Sequence, residues 1–308
     1  MDQHERPVFP EIVSFGEALT DMIRTGDDHW LSKEGGGPWN MARAVAALGV
    51  GAAFGGAISQ DWFGDAIWRT SAQSALDLRF LQRVAKAPLL AMVYQTDPPA
   101  YTFVGNDSAD LAFDPAALPQ GWEEGAAFAH FGGISLARAP LSDTLVALAV
   151  HLKQQGVRIS YDPNFRALMT PAYDPVLQTM AGLADVIKVS DEDLVGLFRT
   201  ADPDAGLAAL RQLNPDAVIL LTEGARGASL HAAGQSWRVA APPVSVIDSV
   251  GAGDASIAGL LYSLLRRADQ PWQGHLRFAV ACGSAACLNA GATPPSLAQV
   301  ETALRTMV

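Results

Sequence analysis

Short apolar, β-branched runs alternate with helical patterns along almost the whole chain, and this alternation limits the fold more than any other feature. "EIVSFGEAL" reads as a strand, "PWNMARAVAALG" as a helix, "AAFGGAIS" as a strand and "FGDAIWRTSAQSAL" as a helix. The rhythm continues with the strand "AAFAHFGGI", the helix "SDTLVALAVHLKQQG", the strands "VRISYDP" and "ADVIKVS", and the helix "DEDLVGLF". "DAVILLTEG", "GASLHAAG" and "SWRVAAPP" read as strands; helices follow after Asp254 and at 274–290. Strands separated by helices imply parallel βαβ units, hence an α/β fold whose mainly parallel sheet is flanked by helices. Ligands of such sheets bind at the carboxyl ends of the strands.

Two segments break the rhythm. Residues 88–104, "PLLAMVYQTDPPAYTFV", read as a hairpin about an Asp-Pro-Pro turn, and residues 17–34 alternate around a turn at Gly26-Asp27-Asp28. Together they predict a small antiparallel sheet outside the main one, placed to act as a lid that excludes water. The expected organisation is therefore one α/β domain spanning 1–308, the lid being an appendage to a single core.

With 49% apolar and 17% charged residues the chain is expected to be globular, and a net charge of −11 argues against nucleic-acid or anionic-membrane binding. That charge leaves room for a local anion pocket built from backbone N–H groups. No apolar run reaches the ~18 residues of a membrane span, and "MDQHERPVFP" lacks the apolar core of a signal peptide, so a cytoplasmic location is expected. Cys282 and Cys287 are spaced for neither zinc nor redox chemistry and read as buried thiols in a helix. Without an export signal, the triplet Asn106-Asp107-Ser108 reads as a chance match to a glycosylation acceptor.

The stretch "DSVGAGDASIAG" carries the strongest chemical signal. Gly251 and Gly253, flanking Ala252, permit a sharp turn and close approach by a phosphate, and the helix that follows adds its free N–H groups and positive dipole end. Asp254 stands at the mouth of this nest. It is either a helix cap or a base that takes a proton from a hydroxyl attacking phosphorus.

"DSVGAGDASIAG" resembles the second signature of the ribokinase-like, or PfkB, carbohydrate kinases, with a complete GAGD core, and "EGGGPWNMARAVAALGVGAAFGGAISQDWFG" resembles their first. The likeness runs from about Ile12 to about Gly291, departing at Ser256, where the family usually has a large apolar residue, and at Ser59, where many members have glycine. The resemblance implies a kinase using ATP and Mg²⁺, with Asp254 as base. It implies that Asp21, in "FGEALTDMI", binds sugar hydroxyls, that Gly36 and Gly37 let the backbone approach the sugar, and that Asn40 offers it a donor and an acceptor. A loop and cap before a helix at 40–48 is compatible with the same residues; Trp39 beside them either faces the sugar or covers the core.

"SYDPNFR" matches the DxNxR pattern of fructokinase-like and ketodeoxygluconate kinase-like members, which implies that Arg166 meets the transferring phosphoryl group or an anionic end of the substrate; the alternative is a surface arginine paired with Asp162. On the nucleotide side the likeness points to Lys188, Ser190 (where Ser190-Asp191-Glu192-Asp193 replaces the usual NxxE), Thr222, Gly224, Gly227 and Asn289. Asp248, Val250, Ala286, Asn289 and Gly291 occupy the places that bind K⁺ in some relatives.

The lid stretch "LAMVYQTDPPAYTFVGNDSADLAF", with Phe103 facing the sugar, is similar to that of fructokinases, which implies fructose; 2-keto-3-deoxygluconate is the runner-up, and a binding protein that lost catalysis is disfavoured by the intact GAGD. A dinucleotide-dependent dehydrogenase is excluded because no GxGxxG opens a first βαβ unit. An apolar outer lid face including Leu90, Met92 and Tyr94 predicts a homodimer through the lid.

Overall fold

The computed structural model describes residues 8–96 and 99–307. In chain order its elements are β1 (Ile12–Phe15), β2 (Leu19–Arg24), β3 (Trp30–Gly35), α1 (Gly37–Ala47), β4 (Ala52–Ser59), α2 (Trp62–Gln73), β5 (Leu81–Val84), β6 (Leu90–Thr96) and β7 (Pro99–Val104). There follow β8 (Phe128–Gly132), α3 (Leu141–Gln154), β9 (Arg158–Asp162), α4 (Asp174–Leu183), β10 (Val186–Ser190), α5 (Asp191–Phe198), α6 (Pro203–Leu213) and β11 (Val218–Thr222). The chain closes with β12 (Ala228–Ala232), β13 (Gln235–Val239), α7 (Ala252–Arg266), α8 (Trp272–Ala286) and α9 (Leu297–Thr306).

Nine strands form the main sheet in the order β13-β12-β11-β10-β9-β8-β1-β4-β5. Every pair from β11 to β5 is parallel, and β12 and β13 turn antiparallel at one edge. Successive strand residues point to opposite faces, so each strand feeds two cores. Ile12 and Phe128 pack with α1, α7 and α8 residues such as Trp39, Leu260 and Phe278. Val13, Phe15 and Phe131 pack on the other face with α3 to α6 residues such as Leu145, Met180, Leu194 and Leu210. This is the α/β architecture that the alternation predicts.

Helices α7 and α8 pack unusually close, and that closeness accounts for Ser256. A Cβ on Gly259 would come within 2.7 Å of Cys282 Cβ, and one on Gly283 would collide with Ser256 Oγ. A large side chain at 256 has no room against α8. Cys282 is buried inside α8 as expected, but that helix ends at Ala286, so Cys287 caps it and is only partly buried. Helix α1 likewise starts at Gly37, earlier than the sequence reading placed it, because Pro38 suits the first helical turn and Gly36 adopts φ 115° before it.

The second sheet has the order β3-β2-β6-β7. Its outer pairs are antiparallel hairpins, but β2 and β6 join in parallel, from Thr20 opposite Leu90 to Ile23 opposite Val93. The fully antiparallel sheet expected from the sequence is therefore corrected to a mixed one. The reason is geometric: β2 follows β1 and β6 follows β5, and both leave the carboxyl edge of one parallel sheet travelling the same way. The Asp97-Pro98 part of the expected turn, like the N-terminal residues 1–7, lies outside the described residues. Alternation on β6 holds through Met92, and a register shift between Val93 and Gln95 interrupts it at Tyr94.

Candidate active site

The carboxyl ends of β1, β8, β9 and β10 face the first turn of α7 and the start of α1, and the small sheet stands over this edge. Gly251 caps α7 in a left-handed conformation (φ 82°), and no side chain satisfies the helix start. The Ala252 N–H donates to the Ser249 carbonyl at 3.2 Å, which removes it from the expected nest. Gly253 and Asp254, inside the first turn, have no preceding helical carbonyl for their N–H groups.

Asp254 is held from α1: Asn40 Nδ2 donates to its Oδ2 at 3.0 Å. A Cβ on Gly37 would lie 2.8 Å from Asn164 Nδ2 and 3.4 Å from Asp254 Oδ1, so this glycine lets the loop before α1 touch both. The side-chain oxygen of Asn40, Oδ1, is buried and has no hydrogen-bond partner among the described residues. A buried acceptor left unpaired costs free energy unless something arrives to donate to it. Asn40 is thus tied to Asp254 by one end and open to a donor at the other.

Asp21 lies on β2 opposite Lys33 of β3, and a Cβ on Gly35 would overlap its carboxylate. Burial raises its pKa from 3.8 to about 6, with the Arg166 charge pulling the other way. Arg166 does not pair with Asp162. Its Nη1 donates to the Asn164 carbonyl (3.1 Å), Asn164 Oδ1 (2.7 Å) and the Phe165 carbonyl (2.7 Å), and its guanidinium lies 5.8 Å from the Tyr101 ring of β7. Tyr101 meets Phe103 edge-on at 5.3 Å, and Phe103 packs on Leu19, Leu89, Ala91 and Ile134. The small sheet therefore places Asp21, Tyr101 and Phe103 on its inner face. Trp39 does not join them: it is fully buried, and its Nε1 donates to Ser71 Oγ at 2.9 Å.

Below the nest, Lys188 is buried and pairs with Asp162 at 3.1 Å and Asp193 at 3.8 Å. A Cβ on Gly253 would sit 3.1 Å from its Nζ, so the ammonium lies directly under the glycine turn. One cation faces three carboxylates here, because Asp254 acts on it as well. Their attraction outweighs burial and holds Lys188 charged. A single ammonium cannot neutralise all three, so the excess falls on the acids. Burial first, then Asp193 and Asp254, push Asp162 up to about 7 against the pull of Lys188. Burial also raises Asp254 against the opposing effects of Asn40, Lys188 and Arg166.

The residues expected on the nucleotide side are more committed to the fold than the sequence suggests. Ser190 and Asp193 form a reciprocal capping box on α5, with Asp193 N–H donating to Ser190 Oγ (3.0 Å) and Ser190 N–H to Asp193 Oδ2 (2.7 Å). Asp193 Oδ1 also accepts from the Phe165 N–H at 2.8 Å, which fixes the segment carrying Arg166. Thr222 ends β11 with its hydroxyl directed to the Val189 carbonyl (3.4 Å). Gly224 and Gly227 have positive φ, and a Cβ on Gly227 would overlap the Val239 carbonyl.

Of the positions implied for a monovalent cation, Asp248 gathers two: its carboxylate accepts from the N–H groups of Val250 (3.0 Å) and Gly291 (2.9 Å). The Ala286 carbonyl accepts from the Asn289 N–H (3.0 Å), and the Asn289 side chain turns to the Thr293 carbonyl and Gln299 (3.3 Å each). A carboxylate and carbonyl oxygens fit such an ion in kind. Among the described residues no group of three or more His, Cys, Asp or Glu is arranged to hold a metal.

Asn164, Tyr101, Asp162 and Asp193 belong to the site although sequence reasoning gave none of them a role of its own. Asn164 adopts a left-handed backbone (φ 48°), which asparagine tolerates, and its N–H donates to Asp162 Oδ1 at 3.0 Å.

A helix start with free N–H groups beside a buried carboxylate fits, in kind, a phosphotransferase acting on an alcohol. The chain belongs to the pfkB family carbohydrate kinases, whose family model matches residues 10–299. It is 32% identical to a fructokinase of Klebsiella pneumoniae over 81% of this chain and 82% of that protein. The solved structure of an ATP-bound fructokinase from Xylella fastidiosa superposes with a TM-score of 0.85 at 29% identity, covering 96% of this chain and 98% of that one. A Vibrio cholerae fructokinase with fructose, ADP and calcium bound gives 0.84 at 29% identity over 97% and 100% of the two chains. The protein is a sugar kinase. Among its described residues no helix is long and apolar enough to cross a membrane.

Proposed function

We propose that this kinase transfers the γ-phosphoryl group of ATP to a hydroxyl of fructose, with Asp254 as the base. The observation that carries the reading is Asn40: one end binds Asp254, and the other is a buried acceptor without a partner. A sugar hydroxyl donating to that oxygen lies beside the carboxylate that takes its neighbour's proton. Asp21 receives further hydroxyls, Gly36 and Gly37 admit the sugar to the backbone, and Phe103 covers it from the small sheet, which acts as a lid on a single α/β body. As phosphoryl charge spreads in the transition state, the Gly251–Gly253 turn and Arg166 stabilise it, and the Lys188 ammonium beneath Gly253 adds its field. Fructose is favoured because the relatives and solved structures compared above are fructokinases.

Mg²⁺ would come with ATP and supply charge that offsets the phosphates. K⁺ held by Asp248 and the neighbouring carbonyls would order the loops on either side of α7. Thr222, Gly224, Gly227 and Asn289 line the nucleotide side. ATP as donor supports a cytoplasmic location. The outer lid face, with Trp30 and Val104 at 38% and 51% exposure beside Leu90 and Met92 and with the exposed Tyr94 at the register shift next to it, supports a homodimer.

A second substrate is favoured by one observation. Among the described residues no carboxylate forms an ion pair with Arg166, which leaves its guanidinium able to bind an acid group such as that of 2-keto-3-deoxygluconate. ADP release with ATP and Mg²⁺ across fructose, 2-keto-3-deoxygluconate, ribose, tagatose and nucleosides decides between them. Fructose is expected to give the highest kcat/KM, and a higher value for the ketodeoxy acid would reassign the substrate.

A further inference from the structure

Arg43 stands one turn beyond Asn40 on α1, with its guanidinium 4.3 Å from the Trp39 ring. Trp39 is itself fixed by its bond to Ser71 of α2. From this platform Arg43 Nε donates to Ser74 Oγ (3.2 Å) and Nη1 donates to the Ala292 carbonyl (3.2 Å). Burial lowers its pKa to about 10, against the pull of Glu34 on β3, so it remains a cation at neutral pH. The acceptor is the informative partner. Ala292 lies directly on the cap of α7: a Cβ on Gly251 would be 3.1 Å from both Cα and Cβ of Ala292. Its neighbour Gly291 is tied to Asp248, in the segment leading into α7. The loop after α8 is thus pinned twice, by Asp248 from one side and by Arg43 from the other, and it forms a wall of the glycine turn.

We propose that Arg43, carried on the helix that presents Asn40 to the sugar, is a positioning residue for the nucleotide half of the site: it presses Ala292 against Gly251 and so holds the phosphate-binding turn of α7 in shape. The inference rests on the assignment of that turn to ATP. Losing the bond frees the 288–293 loop and loosens the turn, while Asn40 and Asp254, joined to each other directly, keep their geometry. The expected signature is selective, because a side chain that only supported the core would act on both substrates alike.

The test is steady-state kinetics of Arg43→Ala with each substrate varied, together with calorimetric titration of ADP and a melting curve. KM for ATP and Kd for ADP should rise about tenfold, the weight of one charge-assisted hydrogen bond. KM for the sugar should stay within about twofold, since its contacts are untouched. Arg43→Lys, which keeps a cationic donor but loses the fork that reaches both Ser74 and Ala292, should recover only part of the nucleotide affinity. Equal rises in both KM values, or a lowered melting temperature with both KM values unchanged, would overturn the proposal. Should Arg43→Ala fail to fold, Ser74→Ala, which removes one anchor of the same guanidinium, must raise the ATP KM alone; any other pattern overturns it too. The wild-type titration separates the two levels. No nucleotide binding by wild type refutes the kinase reading itself, whereas equal binding by wild type and variant refutes only the role of Arg43.

Discussion

Glu17 offers a test in which the magnitude follows from the structure. Its carboxyl is buried beneath the site and receives only neutral donors, the Ser135 N–H at 3.2 Å and the Ser135 hydroxyl at 2.8 Å. Burial raises its pKa from 4.5 to about 7, with those bonds opposing. The folded protein therefore holds a proton there that the unfolded chain has released, and folding stability falls as pH rises from about 4.5 through about 7. Glu17→Gln keeps the shape and an acceptor for Ser135 but never ionises. At 1.36 kcal/mol per pKa unit the substitution should stabilise by about 3 kcal/mol well above pH 7 and by roughly 1–1.5 kcal/mol at pH 5.5. The difference of about 2 kcal/mol corresponds to roughly 4–8 °C in Tm for a chain of this size. Calorimetric melting of both proteins at pH 5.5 and 8.5 measures it. A variant that gains no more at pH 8.5 than at pH 5.5 would refute the claim that Glu17 is buried without a compensating cation.

Further expectations concern the substrates, the lid and the backbone. Asp21→Ala and Asn40→Ala should each raise KM for the sugar about tenfold or more while KM for ATP moves little, since each loses contacts to one substrate; an unchanged sugar KM in both would place the sugar elsewhere. Because Asp21 protonates near pH 6, wild-type KM for the sugar should climb as pH falls below that value and stay flat above it; a KM independent of pH between 5 and 7.5 would contradict the role of its carboxylate. Light scattering at micromolar concentration should give twice the chain mass, and Tyr94→Lys with Val104→Asp should return it to that of one chain; a wild-type monomer refutes pairing through the lid. Gly227→Ala should cost about 1–3 kcal/mol, because φ 100° is strained for any other residue and the Val239 carbonyl occupies the space; an unchanged Tm would contradict that geometry.

Most of the main sheet was legible because strands such as β4 and β8 are buried on both faces and stand out as apolar runs between helical patterns. The edge strand β5 and the helices α4, α6 and α9 were not separated from their surroundings. The direction in which β2 meets β6 depends on where two distant hairpins leave the body, which no local pattern encodes. The glycine turn and Asp254 could be read because their chemistry is concentrated in a few consecutive residues. What completes the site is long-range: Asn40 and Asp254 are 214 positions apart, and Arg43 and Ala292 are 249 apart. Ser190 and Asp193 show the converse limit. Their spacing is that of a helix cap as much as of a nucleotide motif, and the structure uses both side chains as a cap.

The central claim is that Asp254 removes the proton of the attacking hydroxyl. Asp254→Asn tests it directly, because the substituted amide retains an oxygen to accept from Asn40 and loses only the ability to take a proton. Single-turnover and steady-state ADP release with fructose, ATP and Mg²⁺ should show kcat reduced by roughly 10²–10⁴, the range for a lost positioned base, with KM for fructose nearly unchanged. Turnover within about threefold of wild type would contradict the assignment, because no positioned base is lost at so small a cost.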